Sequence, residues 1–240
     1  MAIRAFLFDF DGLILDTESA SRGGYRWLYE QHGQTLPDDL WITVVGTHGT
    51  WDIWGHLEEL VGKTIDRDTW NERRYAHELS LLEAEELRPG ILDYFEYARE
   101  HDLKRAIVSS ASRRWIDMHL ERFEQSIGWD AIITADRDAS RAKPNPTMYL
   151  EALDVLGVGA DEAVVFEDSP NGVRAGKAAG IFVLGIPNDV TRDAGLDEAD
   201  LVVDSLADLP PAELLERANG RGGGGAGEHD RPVRGAGERE

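Results

Sequence analysis

The chain has 240 residues, of which 42% are hydrophobic, so it can bury a sizeable core as one domain or two small ones. Its 46 acidic and 25 basic side chains give a net charge of −21, which repels phosphate backbones and argues against nucleic acid as a partner. It contains no cysteine, which excludes disulfides, thiolate metal ligands and a cysteine nucleophile.

The chain begins with a short apolar run that leads straight into acidic residues, from Ile3 to Phe8 and then Asp9. It lacks the basic start and the longer apolar stretch of a signal peptide. No later run approaches the roughly 18 apolar residues that a membrane span needs. We therefore expect a cytoplasmic protein without a membrane span, and we expect it to be a monomer.

Short apolar runs with the length of buried parallel strands recur along the chain, and helical patterns separate most of them. The alternation predicts an α/β fold, a doubly wound parallel sheet of the Rossmann type whose ligands bind beyond the carboxyl ends of the strands. The predicted strands are 3–9, 105–109, 131–134, 163–166, 181–186 and 201–203, and the predicted helices between them are 92–101, 113–123, 145–156 and 171–179.

One region interrupts the alternation. Residues 17–86 contain no convincing strand, but they contain helical patterns at 18–32, 38–45, 51–61 and 68–86. We therefore predict an α/β core domain formed by residues 1–16 and 87–218, and an inserted helical domain formed by residues 17–86. Residues 219–240 are so rich in glycine that we expect a disordered tail.

The first predicted strand ends in two acids, Asp9 and Asp11, and Gly12 after them allows a sharp turn. Two carboxylates beside an apolar core are costly unless a cation offsets their charge, and a divalent metal ion is a common solution. An aspartate at a strand end can also act as a nucleophile that forms an aspartyl-phosphate. A solvated turn after an edge strand is the alternative for this motif alone.

Two later segments have features that suit a phosphate group. Ser109, Ser110 and Ala111 follow the second predicted strand, where hydroxyls and backbone N–H groups can bind a phosphate oxygen or cap the next helix. Lys143 follows the third strand and precedes a proline, so it can offset nearby negative charge or lie in solvent.

A second acid pair, Glu167 and Asp168, ends the fourth predicted strand, where it could bind a cation or cap the following helix. The carboxyl ends of parallel strands share one edge of a sheet, so the four segments are expected to lie on one rim. Their combination favours a phosphate-handling site much more than any one of them does.

In this order the four segments resemble the haloacid dehalogenase-like hydrolase superfamily, in the branch of β-phosphoglucomutase and phosphoglycolate phosphatase. The likeness covers roughly residues 1–210. It is most specific in residues 9–12 with 16–18 and in residues 167–169 with 171–172, and the lysine–proline pair that begins at Lys143 also matches. The resemblance implies an α/β core with an all-helical cap domain that closes over the site and carries substrate selectivity.

The resemblance also implies roles for individual residues. Asp9 would accept the phosphoryl group, and Asp11 would act first as the general acid and then as the base. Lys143 would bridge Asp9 and the phosphate. Mg²⁺ would bind Asp9, the backbone carbonyl of Asp11 and Asp168, with Glu167 assisting, and Ser110 or its neighbour Ser109 would bind a phosphate oxygen.

These roles imply a Mg²⁺-dependent phosphatase of a small phosphorylated metabolite such as a sugar or polyol phosphate. A phosphosugar mutase is the first alternative, but Ser21 stands where mutases have a histidine, and residues 46–50 lack the mutase arginine. A non-catalytic phospho-ligand binding protein is the second. Dehalogenation is disfavoured because Asp11 is present. Candidate substrate contacts in the cap are His48, Trp51, Trp54, Arg22 and Arg73 or Arg74.

Overall fold

A computed structural model of the protein describes residues 2–38, 41, 52–123, 128–136, 138–192 and 195–220. The described residues form one parallel sheet of six strands, flanked by helices. The strands are β1 (Ala5–Phe8), β2 (Lys104–Ser109), β3 (Ala131–Thr134), β4 (Ala163–Glu167), β5 (Phe182–Gly185) and β6 (Leu201–Val202).

The strand order across the sheet is β3-β2-β1-β4-β5-β6, and every neighbouring pair is parallel. Strand β1 lies at the centre, with β2 on one side and β4 on the other. From β1 the chain adds β2 and β3 on one side and then β4, β5 and β6 on the other. In sheets of this kind a ligand crevice lies at the carboxyl ends of the strands where this reversal occurs, here at the end of β1. The predicted doubly wound α/β fold is confirmed.

Both faces of the central strand are buried, as expected for a parallel sheet covered by helices on both sides. Ala5 and Leu7 belong to the apolar core on one face, whereas Phe6 and Phe8 belong to the core on the other. The ring of Phe8 stacks on Phe166 of β4 with 4.4 Å between the ring centroids. This packing fixes the end of β1 against the end of β4.

Eight α-helices lie in the described part of the chain, and three of them are inserted between β1 and the rest of the core. None has both the length and the apolar character that crossing a bilayer requires. The helices are α1 (Thr17–Gln31), α2 (Ile53–Val61), α3 (Arg67–Leu82), α4 (Ile91–Glu100), α5 (Arg113–Leu120), α6 (Thr147–Leu156), α7 (Pro170–Ala178) and α8 (Pro211–Gly220).

The inserted helices form the helical cap, and two glycines allow α1 to approach α3 closely. A Cβ atom on Gly24 would lie 3.1 Å from the Cβ of Glu78 and 3.4 Å from the carbonyl oxygen of Arg74. A Cβ atom on Gly23 would lie 2.5 Å from a methyl carbon of Leu81. The glycine pair, unfavourable for a helix by propensity, therefore serves helix packing. Most of the predicted helix 38–45 lies outside the described residues.

The two connections between cap and core lie side by side. Leu15 pairs with Leu87 in an antiparallel bridge, and the backbone N–H of Arg88 donates to the carbonyl of Ile14 at 3.0 Å. The predicted helix 68–86 ends earlier than expected, at Leu82. Several acids follow Leu82, and negative charge is unfavourable at a helix C-terminus. The guanidinium of Arg122 donates to carbonyls of this segment.

The last helix was missed by the sequence analysis. Helix α8 continues to Gly220, so residues 219 and 220, expected in the disordered tail, are helical. Its buried residues Leu214 and Ala218 pack into the core on the same face as Phe6. This burial explains why the helix extends into glycine-rich sequence. The rest of the predicted tail lies outside the described residues.

Replacement of Gly24 by valine tests the close packing of α1 against α3. The new side chain must push the helices apart, so we expect a loss of about 1–3 kcal/mol in the free energy of unfolding, measured by urea titration. Gly220→Val is the control, because nothing lies within 4 Å of a Cβ atom built there. Equal unfolding midpoints for the two variants would show that the helices do not need the glycine.

Candidate active site

The carboxylate of Asp9 lies at the carboxyl end of β1 and forms a buried ion pair with a lysine. The Nζ atom of Lys143 is 2.5 Å from Oδ1 of Asp9 and 2.6 Å from Oε1 of Glu167. The side chains are 9%, 6% and 0% exposed for Asp9, Lys143 and Glu167. One ammonium therefore bridges two carboxylates that the neighbouring strands β1 and β4 place together.

Lys143 reaches this position from the loop between β3 and α6. Its backbone N–H donates to Oγ of Ser110 at 3.1 Å, and its peptide bond to Pro144 is cis. Burial alone would lower the pKa of Lys143, but the charges of Asp9 and Glu167 outweigh it and raise that pKa above its ordinary value. The lysine is therefore a fixed positive charge beside Asp9.

The carboxylate of Glu167 is oriented by two hydroxyl groups. The hydroxyl of Tyr149 donates to Oε1 at 2.5 Å, and the hydroxyl of Ser169 donates to Oε2 at 3.3 Å. Gly172 leaves room for the carboxylate, because a Cβ atom there would lie 1.8 Å from Oε2. The carboxylate of Glu167 therefore binds Lys143, and its oxygens already accept several hydrogen bonds.

Asp168 is held by a loop that follows β5. The Nδ2 atom of Asn188 donates to Oδ2 of Asp168 at 2.7 Å. Gly12 lies against the same oxygen, with a φ of +77° and space for no Cβ atom, which would lie 2.2 Å from Oδ2. Burial, and then the charges of Asp9 and Glu167, raise the pKa of Asp168 well above its ordinary value.

The carboxylates of Asp9, Glu167 and Asp168 offer ligand atoms within 4.8 Å of one another. Carboxylate oxygens are the ligands that Mg²⁺ and Ca²⁺ prefer. The single positive charge of Lys143 faces these three buried carboxylates, so negative charge remains in the cluster. Donor chemistry and charge therefore both fit a divalent cation.

The side chain of Asp11 differs from that of Asp9 in its surroundings. Its Oδ1 accepts a hydrogen bond from Nε1 of Trp115 at 2.7 Å, and its Oδ2 accepts from Oγ of Ser109 at 3.3 Å. Burial, and then the charge of Asp9, raise the pKa of Asp11 to about 6. Asp11 can therefore exchange a proton near neutral pH, as a general acid or base must.

A cleft of about 980 Å³ opens beside Asp11, between the core and helix α3 of the cap. Tyr75 and Leu79 line it from the cap, and the loop after β2 lines it from the core with Ser110 and Ala111. The other lining residues are Ser112, Arg114, Trp115, Met118, Ala135, Asp138, Ala139 and Ala142. A ligand in this cleft would meet Asp11 and the N-terminus of α5.

The structure brings most of the predicted site residues together. Seven carry the contacts described above, and the eighth, Ala111, lines the cleft and donates its backbone N–H to Oγ of Ser109 at 3.0 Å. The seven are Asp9, Asp11, Ser109, Ser110, Lys143, Glu167 and Asp168. His48 and Trp51 lie outside the described residues.

The other candidate substrate contacts of the cap serve its packing and internal ion pairs. Arg22 pairs with Asp38 at 2.6 Å, and Trp54 packs against the apolar core of the cap. The guanidinium of Arg73 lies 4.9 Å from the ring centroid of Trp70. Arg74 is buried, pairs with Glu78 and lies over the ring of Tyr25.

Four residues of the site escaped the sequence analysis. They are Trp115, Tyr149, Asn188 and Arg88, whose guanidinium donates to the carbonyl oxygens of residues 12 and 187. Asn188 follows a strand end and could have been found by the rule that located the acids. The other three contact the site across the fold, and no local motif marks them.

The model of the family described as haloacid dehalogenase-like hydrolase matches residues 6–186. The chain belongs to the haloacid dehalogenase-like hydrolase family. The matched segment begins in β1, just before Asp9, and ends just after β5, so it contains the acid cluster, Lys143 and the helical cap.

Relatives of this hydrolase align with most of the chain. A Bacillus subtilis protein named "Putative phosphatase YhcW" is 36% identical over 90% of this chain and 98% of its own length. The Thermotoga maritima phosphorylated carbohydrates phosphatase is 30% identical, covering 89% and 97%. The crystal structure of CbbY from Rhodobacter sphaeroides in complex with phosphate superposes with a TM-score of 0.69 at 25% identity, covering 89% of this chain and 99% of CbbY.

Asp11→Asn tests the electrostatic strain in the site. The folded-state pKa of Asp11, about 6, lies above its ordinary 3.8, so the destabilising cost of this carboxyl is absent below pH 3.8, grows as pH rises from 3.8 to about 6, and is constant above that. In EDTA we expect the variant to be more stable than the wild type by about 1–3 kcal/mol near pH 8, with a smaller difference near pH 4.5. Urea unfolding at both pH values measures it.

The matched control for this prediction is Asp93→Asn, at an exposed acid in the first turn of α4. It should change the free energy of unfolding by less than about 0.5 kcal/mol at both pH values. A destabilised Asp11→Asn variant at pH 8 would contradict the account of the pKa of Asp11.

Proposed function

We propose that this hydrolase is a Mg²⁺-dependent phosphatase that cleaves a small phosphorylated metabolite, of the sugar or polyol phosphate type, through an aspartyl-phosphate on Asp9. The observation that carries the proposal is the position of Asp9. Its carboxylate lies at the sheet's switch point, ion-paired with Lys143 and clustered with Asp168. A carboxylic acid suited to proton transfer, Asp11, lies two residues away.

The reaction divides into two displacements at phosphorus. A carboxylate oxygen of Asp9 attacks the phosphorus, the bond to the leaving oxygen breaks, and that oxygen takes a proton from Asp11. Water then gives a proton to Asp11 as it attacks the phosphorus, the bond to Asp9 breaks, and inorganic phosphate forms. Each step leaves Asp9 and Asp11 ready for the next, so a turnover consumes only ester and water.

Phosphoryl transfer depends mainly on positioning and on neutralisation of charge. Asp9 and Asp168 would hold the Mg²⁺ ion, with the backbone carbonyl of Asp11 as a third ligand, and Glu167 contributes through Lys143 and the charge of the cluster. When bound, the ion supplies positive charge to the phosphate oxygens. Lys143 supplies positive charge to the same site, with Nζ 2.5 Å from Oδ1 of Asp9.

The loop after β2 would bind the remaining phosphate oxygens. Ser109 and Ser110 place hydroxyls there, and the N-terminus of α5 begins with Ser112 as its N-cap. Hydroxyls and free backbone N–H groups at a helix start suit an anion. The binding roles of Ser109, Ser110 and Ala111 rest on this placement.

A phosphosugar mutase is the less favoured function. Ser21 in α1 stands where the mutase pattern has a histidine, and the relatives described above at 30% identity or more carry phosphatase names. A non-catalytic binding protein is disfavoured because the acids and the lysine that chemistry would need are present together. The cytoplasmic location, the monomeric state and substrate contacts by His48 and Trp51 stay predictions.

Asp9→Asn tests the proposed nucleophile. The amide is a far weaker nucleophile than the carboxylate and weakens the pairing with Lys143, so phosphate release from sugar and polyol phosphates should fall by about three orders of magnitude or more. A coupled phosphate assay with and without Mg²⁺ measures the loss.

Asp154→Asn, at an exposed acid of α6, is the control and should retain wild-type turnover. The proposed mechanism is wrong if Asp9→Asn releases phosphate at the wild-type rate from an ester that the wild type accepts. Net isomerisation of a hexose 1-phosphate by the wild type, dependent on a bisphosphate and without phosphate release, would favour the mutase instead.

Asn188→Ala tests the support of the metal ligand. Asn188 donates to Oδ2 of Asp168, and loss of a group that orients a ligand typically weakens metal binding by about 10–100-fold. We expect the Mg²⁺ concentration for half-maximal phosphate release to rise by about that factor. Asp189→Ala is the matched control, because Asp189 lies next to Asn188 in the same loop and its side chain is 87% exposed. Equal Mg²⁺ requirements for both variants would argue against the support role.

A further inference from the structure

The side chain of Trp115 connects the wall of the cleft to the carboxyl of Asp11. Its indole Nε1 donates to Oδ1 of Asp11 at 2.7 Å, the shorter of the hydrogen bonds given above for this carboxyl. The ring itself lines the cleft. A half-buried tryptophan whose only polar atom points at an ionisable group in a cleft has a position that packing alone does not require.

We propose that Trp115 is a positioning residue of the hydrolysis reaction, which holds the carboxyl of Asp11 so that Oδ2 is the oxygen that protonates the leaving group. The inference rests on the proposed function and goes beyond it, because the family resemblance assigns no role to this tryptophan. It concerns geometry, namely which oxygen of Asp11 is turned toward the reacting ester.

An indole N–H donates a hydrogen bond and accepts none, so the oxygen that it contacts must act as the acceptor. A carboxylic acid has one acceptor oxygen of the carbonyl type and one hydroxyl oxygen. With Oδ1 engaged by Trp115, the proton of the acid form of Asp11 is directed to Oδ2. Ser109 contacts Oδ2 at 3.3 Å, and its hydroxyl can donate or accept.

Trp115 is itself held firmly enough to serve as a fixed donor. Its backbone N–H donates to Oγ of Ser112, so it lies in the capped first turn of α5. Its ring packs edge-on against His119 with 4.3 Å between the centroids. On the cap side the ring of Tyr75 lies 6.4 Å away. The indole is therefore fixed from its own helix and faces the cap.

The leaving group distinguishes the proton transfer of the first displacement from that of the second. In the first displacement the oxygen of the broken phosphorus–oxygen bond receives the proton of Oδ2, and Asp11 is left as a carboxylate. Alkoxide leaving groups need this proton, whereas nitrophenolate leaves readily without it. Loss of the indole N–H should therefore slow esters of alcohols far more than esters of nitrophenol.

The test compares two esters of similar size, 4-nitrobenzyl phosphate and 4-nitrophenyl phosphate, with the full-length enzyme and saturating Mg²⁺. For Trp115→Phe we expect kcat/KM, which reports the first displacement, to fall about tenfold or more on the benzyl ester and less than about threefold on the phenyl ester. Added to Asp11→Asn, the substitution should cost nothing further on the benzyl ester.

Trp129→Phe is the matched control, because Trp129 packs on Phe8 and Phe95 in the core and should show no difference between the esters. If Trp115→Phe does not fold, replacement of Trp115 by 3-benzothienylalanine removes the N–H alone and keeps the ring. Equal effects of that replacement on both esters overturn the inference. If the Asp9→Asn variant instead retains wild-type turnover, the proposed function is wrong. The two failures are therefore distinguishable.

Discussion

The buried ammonium of Lys143 is the interaction on which the rest of the site depends. Three carboxylates meet at the ends of β1 and β4, and burying them without a counter-charge would cost several kcal/mol each, of the order expected for desolvated ions. Lys143 offsets part of that cost by pairing with Asp9 and Glu167. The sheet order brings the acids together, and the loop before α6 supplies the cation.

Lys143 offsets only part of the negative charge of the three buried carboxylates. Asp9 is paired with Lys143, whereas burial and then the charge of Asp9 raise the pKa of Asp11 to about 6. These two acids lie two residues apart but have different partners. Asp9 pairs with the ammonium of Lys143, and Asp11 accepts a hydrogen bond from the indole of Trp115. The charge that remains around Asp168 is what a divalent cation would neutralise. Tyr75 and Leu79 of the cap line the cleft beside Asp11.

Sequence reasoning recovered what local pattern controls. The strands, the helical insertion, the strand-end residues Asp9 and Asp168 and the loop residue Lys143 follow from apolar runs and from the common edge of a parallel sheet. It failed for features that depend on contacts between residues far apart in sequence. The early end of α3 reflects acids at its C-terminus and the guanidinium of Arg122, and Trp115 meets Asp11 across 104 positions of sequence. No periodicity encodes such a contact.

The central claim is that Asp9 carries the phosphoryl group during turnover. Rapid acid quench of the enzyme with Mg²⁺ and a slowly hydrolysed ester, followed by borohydride reduction, converts an aspartyl-phosphate into homoserine that peptide mass spectrometry can locate. The account predicts homoserine at position 9, dependent on ester and on Mg²⁺. Turnover that accumulates a phosphoenzyme with homoserine at another position, or with phosphate on a residue other than Asp9, would contradict it.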